Sequence, residues 1–155
     1  MKVFSAIVFF GFLFVSTHAL NQTDQIISIV NSEVILKDSS EIKVSKWEDS
    51  LFSTKEIKCY SFKSRKPLTG YKDIYFRFLM YTYTFDDTTH AQKKLEDIDL
   101  APPRMRHLYY KSFPMGFRTG KTVFVFMTDA VIFKSSLTTV YQKICASLGA
   151  VCDAE

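Results

Sequence analysis

Thirteen consecutive residues, DIYFRFLMYTYTF (73–85), alternate two sets of side chains that are both largely apolar or aromatic. Successive side chains of an extended chain point to opposite faces, so one face would carry Phe76, Phe78 and Met80 and the other Leu79 and Tyr81. A strand that is apolar on both faces is typical of the interior of a sheet that is covered on two sides. The segment therefore predicts a central strand that the rest of the fold must bury.

Further segments have the composition of strands. EIKCYSF (56–62) alternates in the same way, and the Pro67 and Gly70 that follow it favour a turn. KTVFVFMTDAVIF (121–133) is the second strong candidate strand, and shorter strands are expected at 29–37, 41–45 and 108–113. PMGFRTG (114–120) has turn composition. The hairpins that result, at 57–85 and 107–128, imply antiparallel pairing.

Two segments change to helical spacing. Ala91, Leu95 and Ile98 recur at i, i+4 and i+7 after an aspartate pair that can cap the helix. A C-terminal helix is expected to begin near Ser135 or Ser136 and to stop at Gly149. These elements predict an α+β fold, a mainly antiparallel sheet of about five strands with two helices packed on one face.

The first nineteen residues have the layout of a secretory signal peptide. Lys2 precedes an apolar run at 3–15, and Thr17 and Ala19 are small residues at the −3 and −1 positions of a cut after Ala19. The run is shorter than the roughly 20 residues that cross a bilayer. We predict a signal peptide at 1–19 and a single α+β domain at 20–155. The mature protein would be secreted, to a periplasm or the extracellular space, with no membrane span after cleavage.

The net charge gives no indication of a nucleic-acid partner. The full chain carries a formal charge of +4, which becomes +3 when Lys2 leaves with the signal peptide. A balance this small is far from the strongly basic composition typical of nucleic-acid-binding domains.

The three cysteines have the spacing of a structural bridge rather than of a metal site. Cys145 and Cys152 lie seven apart near the C-terminus, and Cys59 lies far upstream. An exported protein meets an oxidising compartment, and no Cys-x-x-Cys or Cys/His cluster is present. If the helix stops at Gly149, the tail can return and bring Cys152 to Cys145. This disulfide is the favoured one; a bridge from Cys59 to the C-terminal segment, or three reduced thiols, are the alternatives.

No catalytic motif is recognisable in the sequence. Gly-x-Ser-x-Gly, His-Glu-x-x-His and a phosphate-binding glycine loop are all missing, and Gly116 and Gly120 fall between two strands rather than before a helix. Neither histidine of the predicted mature chain has an evident metal or catalytic partner in the sequence. We expect His90 to lie on the flank of a helix and His107 to be solvated. We therefore expect neither catalytic residues nor a metal or cofactor.

One cluster of residues is a candidate binding surface. Basic side chains gather around the predicted second hairpin, and FPMGF would place apolar side chains at its turn, where exposure is costly without a partner. The alternative is that these charges simply line strand edges and discourage edge pairing. The candidate binding residues are Arg104, Arg106, Phe113, Met115, Phe117 and Arg118, with His107, Lys111 and Lys121 nearby.

The sequence thus favours a small exported, non-enzymatic binding protein, comparable to an inhibitor or immunity protein, with a protein partner or an anionic ligand. A carrier that holds an apolar small molecule between sheet and helices is the alternative. A hydrolase or redox enzyme is the least favoured hypothesis.

Overall fold

The computed structural model describes residues 21–99, 114–128 and 130–150. Within these ranges the elements are α1 (Gln22–Val30), β1 (Val34–Ile42), α2 (Lys46–Phe52), β2 (Thr54–Pro67), β3 (Tyr75–Phe85), α3 (Thr88–Asp99), β4 (Met115–Thr119), β5 (Thr122–Met127), a 3-10 helix (Val131–Phe133) and α4 (Lys134–Leu148). The five strands form one antiparallel sheet in the order β1-β2-β3-β5-β4. The α+β class, the antiparallel sheet and the central position of β3 are confirmed.

Helices cover both faces of this sheet. On the first face, Phe76, Phe78 and Met80 of β3 belong to one buried cluster with residues of α1 and α4. On the second face, Tyr81 and Tyr83 pack on another cluster, to which α2 and α3 contribute. The prediction of two helices on a single face is therefore wrong: the described ranges contain four α-helices, two on each side. In the same ranges, no helix combines the length and apolar character that crossing a bilayer requires.

The N-terminal helix, α1, was missed because its apolar residues fit the spacing of a helix and that of a strand equally well. Asn21 caps α1 by accepting a hydrogen bond from the backbone N–H of Thr23 at 3.2 Å. Ile26 and Val30, four apart, are buried on the first face, and Val34 opens β1 directly afterwards. The strands predicted at 29–37 and 41–45 are thus one strand, 34–42, and the segment after it forms α2 instead of a loop.

Aromatic rings fill the first face. Phe62 and Phe78, directly opposite in the β2–β3 pairing, stack with centroids 4.7 Å apart. Phe117 of β4 stacks on Phe124 at 5.2 Å, and Phe126 meets Tyr141 of α4 edge-on at 5.6 Å. Rings at these separations gain stability beyond the area they bury. This face therefore fixes α4 against the sheet.

A buried cation joins the helices of the second face to the sheet. Lys94 of α3 is almost fully buried, and its Nζ lies 4.7 Å from the ring centroid of Phe52 in α2 and 4.9 Å from that of Tyr83 in β3. A cation between two aromatic faces is held by their quadrupoles. The contact therefore binds α2, α3 and β3 at one point.

A bulge interrupts the edge strand β1. Leu36 lies opposite Phe62 on the first face, yet Asp38 lies opposite Ser61, so Lys37 is the extra residue. Beyond the bulge the alternation is reversed, and Ile42 pairs with Ile57. All side chains of β1 from Lys37 onward are exposed.

The C-terminal helix ends where the sequence predicts. Gly149 has φ 62°, a left-handed conformation that glycine adopts without a Cβ penalty. The backbone N–H of Ala150 then donates to the carbonyl of Cys145 at 3.1 Å. The chain therefore turns sharply away from the helix axis at this point.

The aromatic core gives a stability prediction. Phe117→Ala should lower the free energy of unfolding by about 3–5 kcal/mol, because a fully buried ring leaves a cavity among other rings. Tyr71→Ala is the control, since Tyr71 is half exposed, and its effect should stay within about 0.5 kcal/mol. Urea unfolding of both variants measures the difference; equal effects would contradict the position of Phe117 in the core.

Candidate functional site

The predicted binding residues are divided by the structure. Met115, Phe117 and Arg118 lie on β4, whereas Arg104, Arg106 and Phe113 lie outside the described residues. The strand predicted at 108–113 lies outside them as well. The segment read as a turn is therefore a strand from Met115 onward, and the turn is confined to Gly120 and Lys121.

Phe117 does not lie on an exposed turn. Its side chain is 1% exposed and packs in the aromatic core of the first face. Met115 packs against the same cluster, and its Sδ accepts a contact from the Thr138 hydroxyl at 3.9 Å. The expected apolar exposure at the hairpin tip is therefore wrong for Phe117, while Phe113 lies outside the described residues. Pro114 and Gly116 gave this segment turn composition, but the alternation of Met115 and Phe117 is that of a strand.

Arg118 is half-buried and holds β4 against a helix. Its guanidinium donates to the side-chain carbonyl of Gln92 in α3 at 3.2 Å and to the backbone carbonyl of Gly120 at 2.9 Å. Both acceptors are neutral, so these bonds fix the orientation of the guanidinium without neutralising its positive charge.

A cleft of about 500 Å³ opens at the end of the sheet where β2 passes into β3. Its walls come from four parts of the chain: the turn between α1 and β1, the end of β2 with the loop after it, the start of β3, and the first two turns of α4. A volume of this size lies in the range of small-molecule sites. The lining residues are Ser32, Glu33, Val34, Ser64, Arg65, Lys66, Pro67, Leu68, Thr69, Phe76, Ser136, Thr139 and Val140.

The floor of the cleft is apolar. Val34 of β1, Phe76 of β3 and Val140 of α4 line it and are each nearly fully buried. They belong to the first-face cluster, so the floor is the surface of the hydrophobic core itself. An apolar group that settles there would displace water from the core surface, which is favourable.

The rim of the cleft is cationic. Arg65 donates to the backbone carbonyl of Asn31 at 2.8 Å and to the side-chain carbonyl of Asn31 at 2.9 Å, two neutral acceptors that leave its charge in place. Lys66 is exposed beside it. Glu33, also on the rim, forms an ion pair with Lys143 of α4. The rim therefore has an excess of positive charge, which suits an anionic group.

Backbone hydrogen bonds shape the two loops that flank the cleft. The N–H of Arg65 donates to the carbonyl of Glu33 at 3.0 Å, which ties the α1–β1 turn to β2. In the next loop the N–H of Leu68 donates to the carbonyl of Ile74 at 2.6 Å, and Gly70 takes a left-handed φ of 88°. The walls are thus held before any ligand arrives, which lowers the entropy cost of binding.

The free thiol of Cys59 lies on the second face, away from the cleft. Cys59 is directly opposite Tyr81 in the β2–β3 pairing, and the phenol makes a hydrogen bond to the sulfur. Burial raises the pKa of the thiol, and this outweighs the opposite effect of the Tyr81 hydrogen bond. Since the thiolate is the reactive form, this environment disfavours nucleophilic chemistry at neutral pH.

Cys145, by contrast, is disulfide-bonded. This excludes the alternative in which Cys59 forms the bridge, because Cys59 is free. Cys152, the predicted partner of Cys145, lies outside the described residues.

His90 has a structural partner. Asp87 accepts a hydrogen bond from the backbone N–H of His90 at 2.8 Å and pairs with the imidazole Nδ1 at 2.8 Å, at the start of α3. The expected aspartate cap is thus present. Among the described side chains, no three of the types His, Cys, Asp and Glu lie close enough together to hold a metal ion. His107 lies outside the described residues.

No family model, curated protein or solved structure matches this chain.

The Asp87 cap gives a pH prediction. Its hydrogen bonds to the His90 backbone and side chain lower the pKa of Asp87. The stabilisation is therefore present above the ordinary carboxyl pKa of about 3.9 and is lost as the pH falls through the lowered value. Asp87→Asn should unfold at lower urea than the wild type at pH 7, and the gap should close in strong acid. Asp73→Asn, in an exposed loop, is the control; a gap that is independent of pH would contradict the assignment.

The cysteines give a chemical prediction. Iodoacetamide added to unfolded, unreduced protein should label Cys59 and leave Cys145 unlabelled, because Cys59 is a free thiol and Cys145 is disulfide-bonded. Labelling of Cys145 should require prior reduction. Peptide mass mapping reads both outcomes, and a labelled Cys145 without reduction would contradict the bridge.

Proposed function

We propose that the protein is an exported, non-enzymatic binding protein whose cleft holds a small molecule with an apolar body and an anionic group. The observation that carries the proposal is the combination, in one 500 Å³ cleft, of an apolar floor and a rim with an excess of positive charge. This is the general arrangement of small-molecule sites, in which apolar lining supplies affinity and a few polar groups fix orientation.

The chemistry of the ligand follows from the two surfaces. The floor formed by Val34, Phe76 and Val140 would contact a flat or branched apolar body. Arg65 and Lys66 would bind a carboxylate, sulfonate or phosphate at the mouth, where the guanidinium can offer two parallel donors. Ser136 and Thr139 on α4 supply hydroxyls on the opposite wall.

The cleft favours the carrier hypothesis over the hypothesis of a surface that binds a protein partner. Burial of Phe117 removes one of the apolar side chains of the hairpin tip on which partner binding was expected to depend. The cleft, in contrast, is an open concave site with apolar residues at its floor, and its walls are already formed. A protein partner at Arg104, Arg106 and Phe113 stays a prediction from the sequence.

Export belongs to the same proposal. The leader predicted at 1–19 would deliver the chain to an oxidising compartment, and a disulfide at Cys145 is consistent with such an environment. We propose Cys152 as its partner, since Cys59 is free and the chain turns at Gly149. The peptide that remains linked to Cys145 in the mapping experiment identifies this partner.

A blocking variant tests the cleft. Ser136→Trp would place an indole in the cleft from α4, whereas Ser135→Trp adds the same ring to the same helix at a residue that does not line it. With anilinonaphthalene sulfonate, an aromatic anion, as the fluorescent probe, Ser136→Trp should weaken binding at least about tenfold, or ~1.4 kcal/mol. Ser135→Trp should bind like the wild type.

A charge reversal separates the rim from the floor. Lys66→Glu should weaken binding of the anionic probe, while Lys37→Glu, on the exposed part of β1, should not. Fluorescence titration measures the affinity of the probe for each variant and for the wild type. Equal affinity of Ser136→Trp and the wild type, or equal loss in both charge variants, would overturn the proposal.

A further inference from the structure

Exposed apolar side chains concentrate at the cleft end of the molecule. Of the six large hydrophobic side chains that are exposed among the described residues, Ile42 and Leu51 lie at the opposite end of the sheet. The other four belong to two segments, the β2–β3 loop and the 3-10 helix before α4. They are Tyr71, Ile74, Val131 and Ile132, with exposed fractions of 50%, 38%, 59% and 44%.

These two segments are held at the same end of the sheet. Phe76, two residues after Ile74, packs against Phe133, one residue after Ile132, with ring centroids 5.8 Å apart. The hydroxyl of Thr128, where β5 ends, donates to the backbone carbonyl of Arg77 in β3 at 3.0 Å. The loop and the 3-10 helix therefore project from neighbouring points, beside the cleft walls formed by Leu68 and Ser136.

Cations surround the apolar side chains. Lys72 lies in the β2–β3 loop, Lys134 follows the 3-10 helix directly, and Arg65 and Lys66 lie on the cleft rim. The acids that the sequence has in these segments and on the rim are Glu33, Asp73 and Asp129. When Lys143, which pairs with Glu33, is included, five cations stand against three acids. This end of the molecule thus combines exposed aliphatic and tyrosine side chains with net positive charge.

We propose that this end, the docking tip (Tyr71, Ile74, Val131 and Ile132 with Lys72 and Lys134), binds the surface of an anionic phospholipid bilayer. Aliphatic side chains on short projecting segments can enter the headgroup region, where tyrosine is favoured and lysines meet the lipid phosphates. A stable protein interface would instead need about 1,000 Å² with a continuous apolar centre. The exposed apolar side chains of the docking tip lie on two short segments, each with an adjoining lysine, and this arrangement suits a lipid headgroup surface.

Docking in this orientation turns the cleft mouth toward the lipid. This surface is a separate inference from the ligand proposed for the cleft, because vesicle binding is measured without a ligand and dye binding is measured without vesicles. Failure of one experiment therefore leaves the other intact.

Vesicle co-sedimentation of the mature chain tests the proposal. Binding to phosphatidylcholine vesicles that contain phosphatidylserine should exceed binding to phosphatidylcholine alone. It should weaken between about 0.1 and 1 M salt, where the screening length falls from ~10 to ~3 Å. The double variant Val131→Ser/Ile132→Ser should bind at least about tenfold more weakly, because its apolar area no longer enters the bilayer. Lys72→Glu should also weaken binding severalfold.

Matched controls lie at the other end of the molecule. Ile42→Ser/Leu51→Ser removes two exposed aliphatic side chains there, and Lys37→Glu reverses an exposed charge on β1. Both should bind vesicles like the wild type, and thermal melting shows that all variants fold. Three results would overturn the proposal: no binding to anionic vesicles, equal losses in the control variants, or full vesicle binding by Val131→Ser/Ile132→Ser. The last result would overturn it even if that variant had lost the ability to bind a protein partner.

Discussion

Burial of β3 on both faces is the constraint on which the rest of the structure depends. The strand presents phenylalanines and a methionine to α1 and α4, and tyrosines to α2 and α3. Because apolar burial is the dominant favourable contribution to folding, a strand of this kind is stable only with a layer on each side. The four helices and the central place of β3 in the sheet are consequences of that requirement.

The cleft exists because this covering is incomplete at one end. α4 begins beside the start of β3, and α1 ends before the first residue of β1, so neither helix covers the point where β2 turns into β3. Core residues such as Phe76 and Val140 line the opening, while Arg65 lies at its rim. The same geometry leaves the adjoining loop and 3-10 helix with apolar side chains in solvent. Cleft and docking tip are thus two results of one gap in the helical layers.

Secondary structure was predicted best where the apolar side chains follow a single spacing, either that of a helix or that of a strand. The strand at 75–85 and the helix around Ala91 and Leu95 were predicted because their side chains fit a single spacing. β4 was missed because Pro114 and Gly116 are typical of turns, and α2 because a seven-residue helix has too few apolar positions to show a period. The end of α4 at Gly149 follows from local chemistry and was expected.

The cleft could not be predicted because its walls are distant in the sequence. Glu33, Arg65, Phe76 and Thr139 come together only through the pairing of three strands and the docking of α4. Arg65 and Lys66 precede Pro67, where a turn was predicted, and Ser136 was expected near the start of a helix. Two adjacent cations beside a proline, before an aromatic strand, were the only local signal.

The bulge at Lys37 has a consequence for the molecule in concentrated solution. An edge strand of nine residues offers a row of unpaired backbone groups that another copy could extend into a fibril. The bulge twists that row and reverses its side-chain phase midway, so a flat incoming strand can match only half of it. This single extra residue therefore gives the chain a built-in resistance to templated aggregation.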